Sequence, residues 1–134
     1  RAASLESLAL TNEKFDIVLN MEVIEHVENP KDFILNATKT LSPEGILFVA
    51  TLNRTFRAWA LAIIGAEYIL RWLPKGTHNF RKFIKPSELK KYFFGSDFTF
   101  IGETGIIYNP IFDKWQLSKD MDINYILVAQ RNSA

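Results

Sequence analysis

Residues 15–20 read Phe-Asp-Ile-Val-Leu-Asn, an apolar run too short for a helix and rich in β-branched and large side chains. This pattern predicts a buried strand covered on both faces. Asn29-Pro30-Lys31-Asp32 then reads as a helix start. Asn29 can cap, Pro30 suits the first helical position, and Asp32 favours the positive end of the helix dipole. The helix is expected to run to about Leu41, with Phe33, Ile34, Ala37 and Leu41 on one face. Ser42-Pro43-Glu44-Gly45 ends it, and residues 45–52 form a second apolar strand. Strand, helix and strand at this spacing make a βαβ unit, which implies a parallel sheet with a right-handed crossover.

Residues 56–73 break that rhythm, since fifteen of the eighteen are apolar if Gly65 is counted with them. Arg57, Glu67 and Arg71 share one arc of a helix, but Leu61, Ile64, Tyr68 and Trp72 intrude on it, so the helix is apolar nearly all round. Three charges and marginal length argue against a membrane span. An interfacial helix or a lid over a greasy substrate fits better, with a helix packed on a partner subunit as the alternative. Residues 4–9 read as a short helix or loop. Pro86-Ser87-Glu88-Leu89 starts another helix with Leu89, Tyr92 and Phe93 inward. Extended signals follow at 98–101 and 106–108, a loop at 109–122 holding Pro110 and Trp115, and a final strand at 124–130. No repeat or second domain is evident.

At 134 residues and 48% hydrophobic, the chain can bury a core as one domain. It has no cysteine, so disulfides and thiolate zinc sites are excluded. The first residues, RAASLESLAL, do not read as a signal peptide. Without an initial Met, the chain is expected to begin inside a longer protein. The net charge of +1 is unevenly spread: residues 54–91 hold nine basic residues against two acids. That segment is expected either to meet an anionic partner or to form a solvated face.

Directly after the first strand stand Glu22, Glu25 and His26. If residues 21–27 make one helical turn, offsets of three and four put all three on one face. They would then lie at the carboxyl end of a strand, where open α/β sheets bind ligands. Two carboxylates and an imidazole can hold Mg²⁺ or Mn²⁺. Such an ion would stabilise a phenolate. Alternatively, His26 takes the proton itself, oriented by Glu22 or Glu25. The plainer possibility is that the acids stabilise a helix start and His26 packs. His78 stands alone and carries little weight for chemistry. No G-x-G-x-x-G, P-loop, H-E-x-x-H or G-x-S-x-G motif is present, and no nucleic-acid module, so nucleic acid is not an expected partner.

The strings FDIVLNMEVIEHVENPKDFI, LSPEGILFVATLNRT, GAEYILRWLPKGTHNFRKFIKPSEL, YNP and NY together resemble the ubiquinone-biosynthesis O-methyltransferases. PKGTH and KFIKPSEL are the most specific of them, and the likeness covers nearly everything from Phe15 onward. It implies an α/β fold, the Rossmann-like sheet of class I methyltransferases, with this chain supplying a single partial domain, strands four to seven, the last antiparallel. It implies S-adenosylmethionine as cofactor, contacted by Met21, and Mg²⁺ held by Glu22, Glu25 and His26, with His26 and Glu25 next to the acceptor oxygen. None of the six glycines makes the family's cofactor loop, so this chain alone is expected to be inactive. The implied partners are a polyprenyl catechol substrate, an anionic membrane surface met by residues 54–91, and other ubiquinone-biosynthesis proteins. The implied location is cytoplasm or mitochondrial matrix, peripheral on the inner membrane. A small phenolic acceptor, or a non-catalytic membrane-binding module, are the competing expectations.

Overall fold

Each element starts where the local chemistry favours it. In the computed structural model, which describes residues 1–63, 71, 74–76 and 79–133, Ser4 caps helix α1 (Leu5–Ala9) by accepting from the Ser7 N–H. Strand β1 (Phe15–Met21) follows. Asn29 Oδ1 accepts from the Asp32 N–H at 3.1 Å to open helix α2 (Pro30–Lys39), as its sequence predicts. The helix stops two residues early because Leu41 is drawn fully into the sheet, while the Thr40 N–H and hydroxyl both close on the Ala37 carbonyl.

Strand β2 (Leu41–Leu52) therefore begins before the expected turn, which survives as an irregularity within it. The pairing steps from Phe15 opposite Leu41 to Ile17 opposite Ile46, with Glu44 in the left-handed region (φ 64°). Gly45 is required there, since a Cβ would stand 2.9 Å from the Ser42 carbonyl oxygen and 2.9 Å from Leu41.

Helix α3 (Phe56–Trp59), capped by Thr55, opens the apolar segment and continues as a π-type turn over 60–63. The rest of the expected 56–73 helix lies outside the described residues, apart from Arg71, and so does His78. No described helix is long and apolar enough to cross a membrane. Helix α4 (Pro86–Lys91) carries Leu89 and, just beyond it, Phe93 into the core, and Tyr92 packs against that core.

Strands β3 (Phe98–Asn109), β4 (Lys114–Ser118) and β5 (Asn124–Arg131) complete one sheet in the order β1-β2-β5-β3-β4. β1 and β2 are parallel across α2, and β5 inserts antiparallel beside β2. The two extended signals around Gly102 and Gly105 are one continuous strand. The expected loop at 109–122 is instead a hairpin containing β4, paired through Tyr108 opposite Trp115.

Leu47, Val49, Tyr125, Leu127 and Ala129 share one sheet face and form the core with α2, α4 and Ile24. The opposite face differs from expectation: Ile17, Leu19 and Met21, alternating along the edge strand β1, are exposed. Strand β1 is thus covered on one face among the described residues.

Candidate active site

The chain leaves β1 abruptly. The Glu22 N–H still donates to the Ala50 carbonyl at 2.9 Å, but Glu22 itself adopts φ 58°, uncommon for a residue with a Cβ. A 3-10 turn, Ile24–His26, follows. Ile24 drops into the core, Glu25 is 3% exposed, and His26 faces outward with its main-chain N–H on the Val23 carbonyl at 2.9 Å. Successive residues of such a turn point about 120° apart, so Glu25 and His26 diverge.

That geometry corrects the expectation of one face bearing Glu22, Glu25 and His26. Among the described residues no three His, Asp or Glu side chains converge on a point that would hold a metal ion. The set predicted for Mg²⁺ therefore does not fit a divalent ion.

Two of the three do meet. Glu25 Oε2 accepts from Thr51 Oγ1 at 2.9 Å, and its Oε1 is buried without a donor. Although Glu22 is exposed as a whole residue, its carboxyl end is crowded by protein. Desolvation pushes that carboxyl up to about 7, and the neighbouring Glu25 carboxyl pushes the same way.

Two residues before Glu22, Asn20 is 4% exposed and neither atom of its amide has a partner. It helps form a cleft of about 200 Å³ with Leu5, Leu8, Val23 and Phe33, while Met21 stands exposed at the end of β1. A second cleft of about 260 Å³ lies between Ile24 and Val27 on one wall and Arg54, Arg81 and Tyr92 on the other. Arg54 pairs with Glu88 and reaches the Phe83 carbonyl. Burial raises the Glu88 carboxyl, but the Lys85 N–H and the Arg54 guanidinium outweigh it and hold it below the usual carboxylate range.

Thr51, Asn20 and Arg54 were not singled out from the sequence. The available signal was a polar residue at the carboxyl end of an otherwise apolar strand, a position where only a partner or a ligand repays desolvation.

Residues 3–102 match a family model described as a methyltransferase domain, and the chain belongs to that family. More particularly, it is 58% identical over 132 residues to the ubiquinone biosynthesis O-methyltransferase of Bartonella tribocorum, covering 98% of this chain and 53% of that protein. It is 52% identical over 133 residues to the enzyme of that name from Mesorhizobium japonicum, covering 99% and 53%. The chain spans about half the length of the curated relatives it matches. Among solved structures, it resembles magnesium protoporphyrin IX methyltransferase from Synechocystis PCC 6803 with bound SAH (TM-score 0.59, 19% identity, 93% of this chain and 48% of that one). It also resembles the plantazolicin methyltransferase in complex with SAH (TM-score 0.60, 14% identity, 97% and 56%). Those two likenesses establish the fold, an α/β methyltransferase sheet as the sequence predicts.

Proposed function

We propose that this chain forms the acceptor-side part of an S-adenosylmethionine-dependent O-methyltransferase that acts on a polyprenyl catechol in ubiquinone biosynthesis. The observation that carries the reading is the Glu22–Glu25 pair, braced by Thr51 at the carboxyl rim of β1 and β2. The names of the relatives support the same reaction.

The cofactor fit rests on Asn20 and Met21. An amide that is buried yet unpartnered at the end of β1 offers a donor and an acceptor to a polar group, whereas Met21 offers an apolar contact on the other, exposed face of the strand. When bound, the cofactor supplies an electrophilic methyl group. The protein's own part is to orient the acceptor hydroxyl and receive its proton. A phenolic hydroxyl ionises near 10, about three units above Glu22, so complete prior deprotonation would cost roughly 4 kcal/mol. A base at about 7 instead takes the proton as the new bond forms. Burial sets most of the Glu22 basicity, and Glu25, locked by Thr51, adds to it. His26, exposed at the same rim, is the competing base. The basic segment at 54–91, with Phe56 and Leu61 exposed at its start, is assigned to an anionic membrane surface.

Methyl transfer to long-tailed and short-tailed prenyl catechols, measured for this chain and for the longest form of the protein containing it, tests the reading. Glu22→Gln should cut turnover about 100-fold, the range of a positioned base, and His26→Ala should cost under tenfold. A larger loss for His26→Ala would move the proton to the imidazole. Equal use of a tail-less phenol would remove the polyprenyl acceptor.

A further inference from the structure

Strand β3 runs on past its last pairing with β5, at Gly105 opposite Tyr125, and from there has only β4 beside it. Because β3 is antiparallel to β5, and β5 to β2, the hairpin leaves the sheet at the rim where β1 and β2 end. Four further residue pairs carry it about 13 Å beyond that rim at 3.3 Å per residue.

What it carries there is apolar. Ile111 and Phe112 at the apex are 83% and 69% exposed, and Trp115 and Leu117 behind them 68% and 71%. The apex owes its shape to its own bonds rather than to packing on the body. Asn109 Oδ1 accepts from the Ile111 and Phe112 N–H groups, Tyr108 and Trp115 rings lie 5.2 Å apart, and the Tyr108 hydroxyl donates to Asp113 at 2.5 Å. A fixed turn presenting large apolar side chains to solvent costs solubility unless something apolar receives them.

The charges around it say what that is. Asp113 is engaged by Tyr108, and Asp120 and Asp122 are engaged by Arg57 at 3.0 and 3.1 Å. Lys114 beside the apex and Lys119 at the hairpin's base make no ion pair among the described residues. An apolar apex flanked by Lys114, with the Tyr108–Trp115 pair behind it and Lys119 at the base, suits an anionic bilayer boundary, Lys114 reaching back along its own stem toward the headgroups. The Arg57 bridges also tie α3, with Phe56 exposed, to the foot of the same hairpin.

We propose that the β3–β4 hairpin is a lipid-insertion element: Ile111 and Phe112 enter an anionic bilayer, with Trp115 at its interface. This goes beyond the contact assigned to residues 54–91, since it adds an apolar anchor on a separate element of the fold.

The test is co-sedimentation with vesicles of phosphatidylcholine containing one third phosphatidylglycerol, together with emission of Trp115 in a Trp59→Phe/Trp72→Phe background. Ile111→Ser/Phe112→Ser, both at exposed positions, should lower partitioning about tenfold or more, and vesicles should shift Trp115 emission to the blue in the parent only. Lys114→Glu should weaken binding at low salt and lose its effect at high salt. Unchanged partitioning of the double variant would overturn the proposal. So would an absence of vesicle binding, or a concentration-dependent dimer that vesicles do not dissociate. A loss of methyl transfer to a short-chain, water-soluble acceptor in the double variant would overturn it too, by placing the hairpin in the acceptor site. Failure of the parent protein to transfer methyl groups would instead count against the proposed reaction and leave the lipid result standing.

Discussion

Thr51 Oγ1 donates to Glu25 Oε2 across 2.9 Å, joining the carboxyl end of β2 to the 3-10 turn that follows β1. Both residues are buried, so the bond fixes the rotamer of the only carboxyl group wholly inside the described structure. Removing it leaves a buried carboxyl with neither oxygen hydrogen-bonded, a loss of about 1–3 kcal/mol. Thr51→Val keeps the volume and should lower turnover at least tenfold with little change in KM, and it should shift the acidic limb of the pH–rate profile. Thr51→Ser keeps the hydroxyl and should restore both. Equal behaviour of the two variants would show that Thr51 merely fills space.

The raised Glu22 carboxyl makes a stability prediction with an unusual sign. Folding raises the Glu22 carboxyl from an ordinary 4.5 to about 7. The folded state therefore binds more protons than the unfolded state across that window. This contribution is complete below pH 4.5 and is lost as pH rises through 7, opposite to a salt-bridged carboxylate. Urea unfolding midpoints taken from pH 5 to 8 should carry a falling component that Glu22→Gln removes. Because Glu22 is an exposed residue, water will reduce the size of the effect without reversing it. A variant whose pH profile overlays the parent's would place Glu22 outside any coupled pair.

The turn after β1 departs from its sequence pattern for a reason that lies in its backbone. Residues 21–27 have helical spacing, and offsets of three and four in the sequence do place Glu22, Glu25 and His26 together on an α-helix. The chain instead spends Glu22 on a left-handed step, φ 58°, that no residue type at that position announces. The βαβ unit was legible because Asn29, Pro30 and the apolar runs at 15–20 and 45–52 all act locally. The hairpin at 109–122 was not, since Pro110 and exposed Trp115 read as loop, while the pairing of Tyr108 with Trp115 depends on a turn built by Asn109 and Asp113. Exposure of Ile17 and Leu19 was equally hidden, because an apolar strand looks the same at an edge as in the middle of a sheet.

Gly105 sits where three strands meet, opposite Tyr125 on β5 and Ser118 on β4, at the point from which the hairpin departs. A Cβ at this position would lie 1.7 Å from the Asp120 carbonyl oxygen and 2.7 Å from its carbon, distances no rotamer can relieve because the obstacle is backbone. The loop that carries Asp120 must therefore move if any side chain is added. That loop also holds the Met121 carbonyl that accepts from Asn53, and the Asp120 and Asp122 carboxylates that bind Arg57. Displacing it loosens α3 as well as the hairpin, so the cost extends beyond one contact. Gly105→Ala should destabilise the chain by about 1–3 kcal/mol, the range for overpacking a tight site. Amide exchange should quicken at Ile106, Asn53 and Ala58 before it does in the β1–β2 pair. Gly102, four residues from the hairpin's free portion and with nothing within 4 Å of its Cβ position, is the control. Gly102→Ala should leave stability within about 0.5 kcal/mol. Equal effects at the two glycines would mean that the Asp120 loop yields freely, and that the hairpin is not anchored through it.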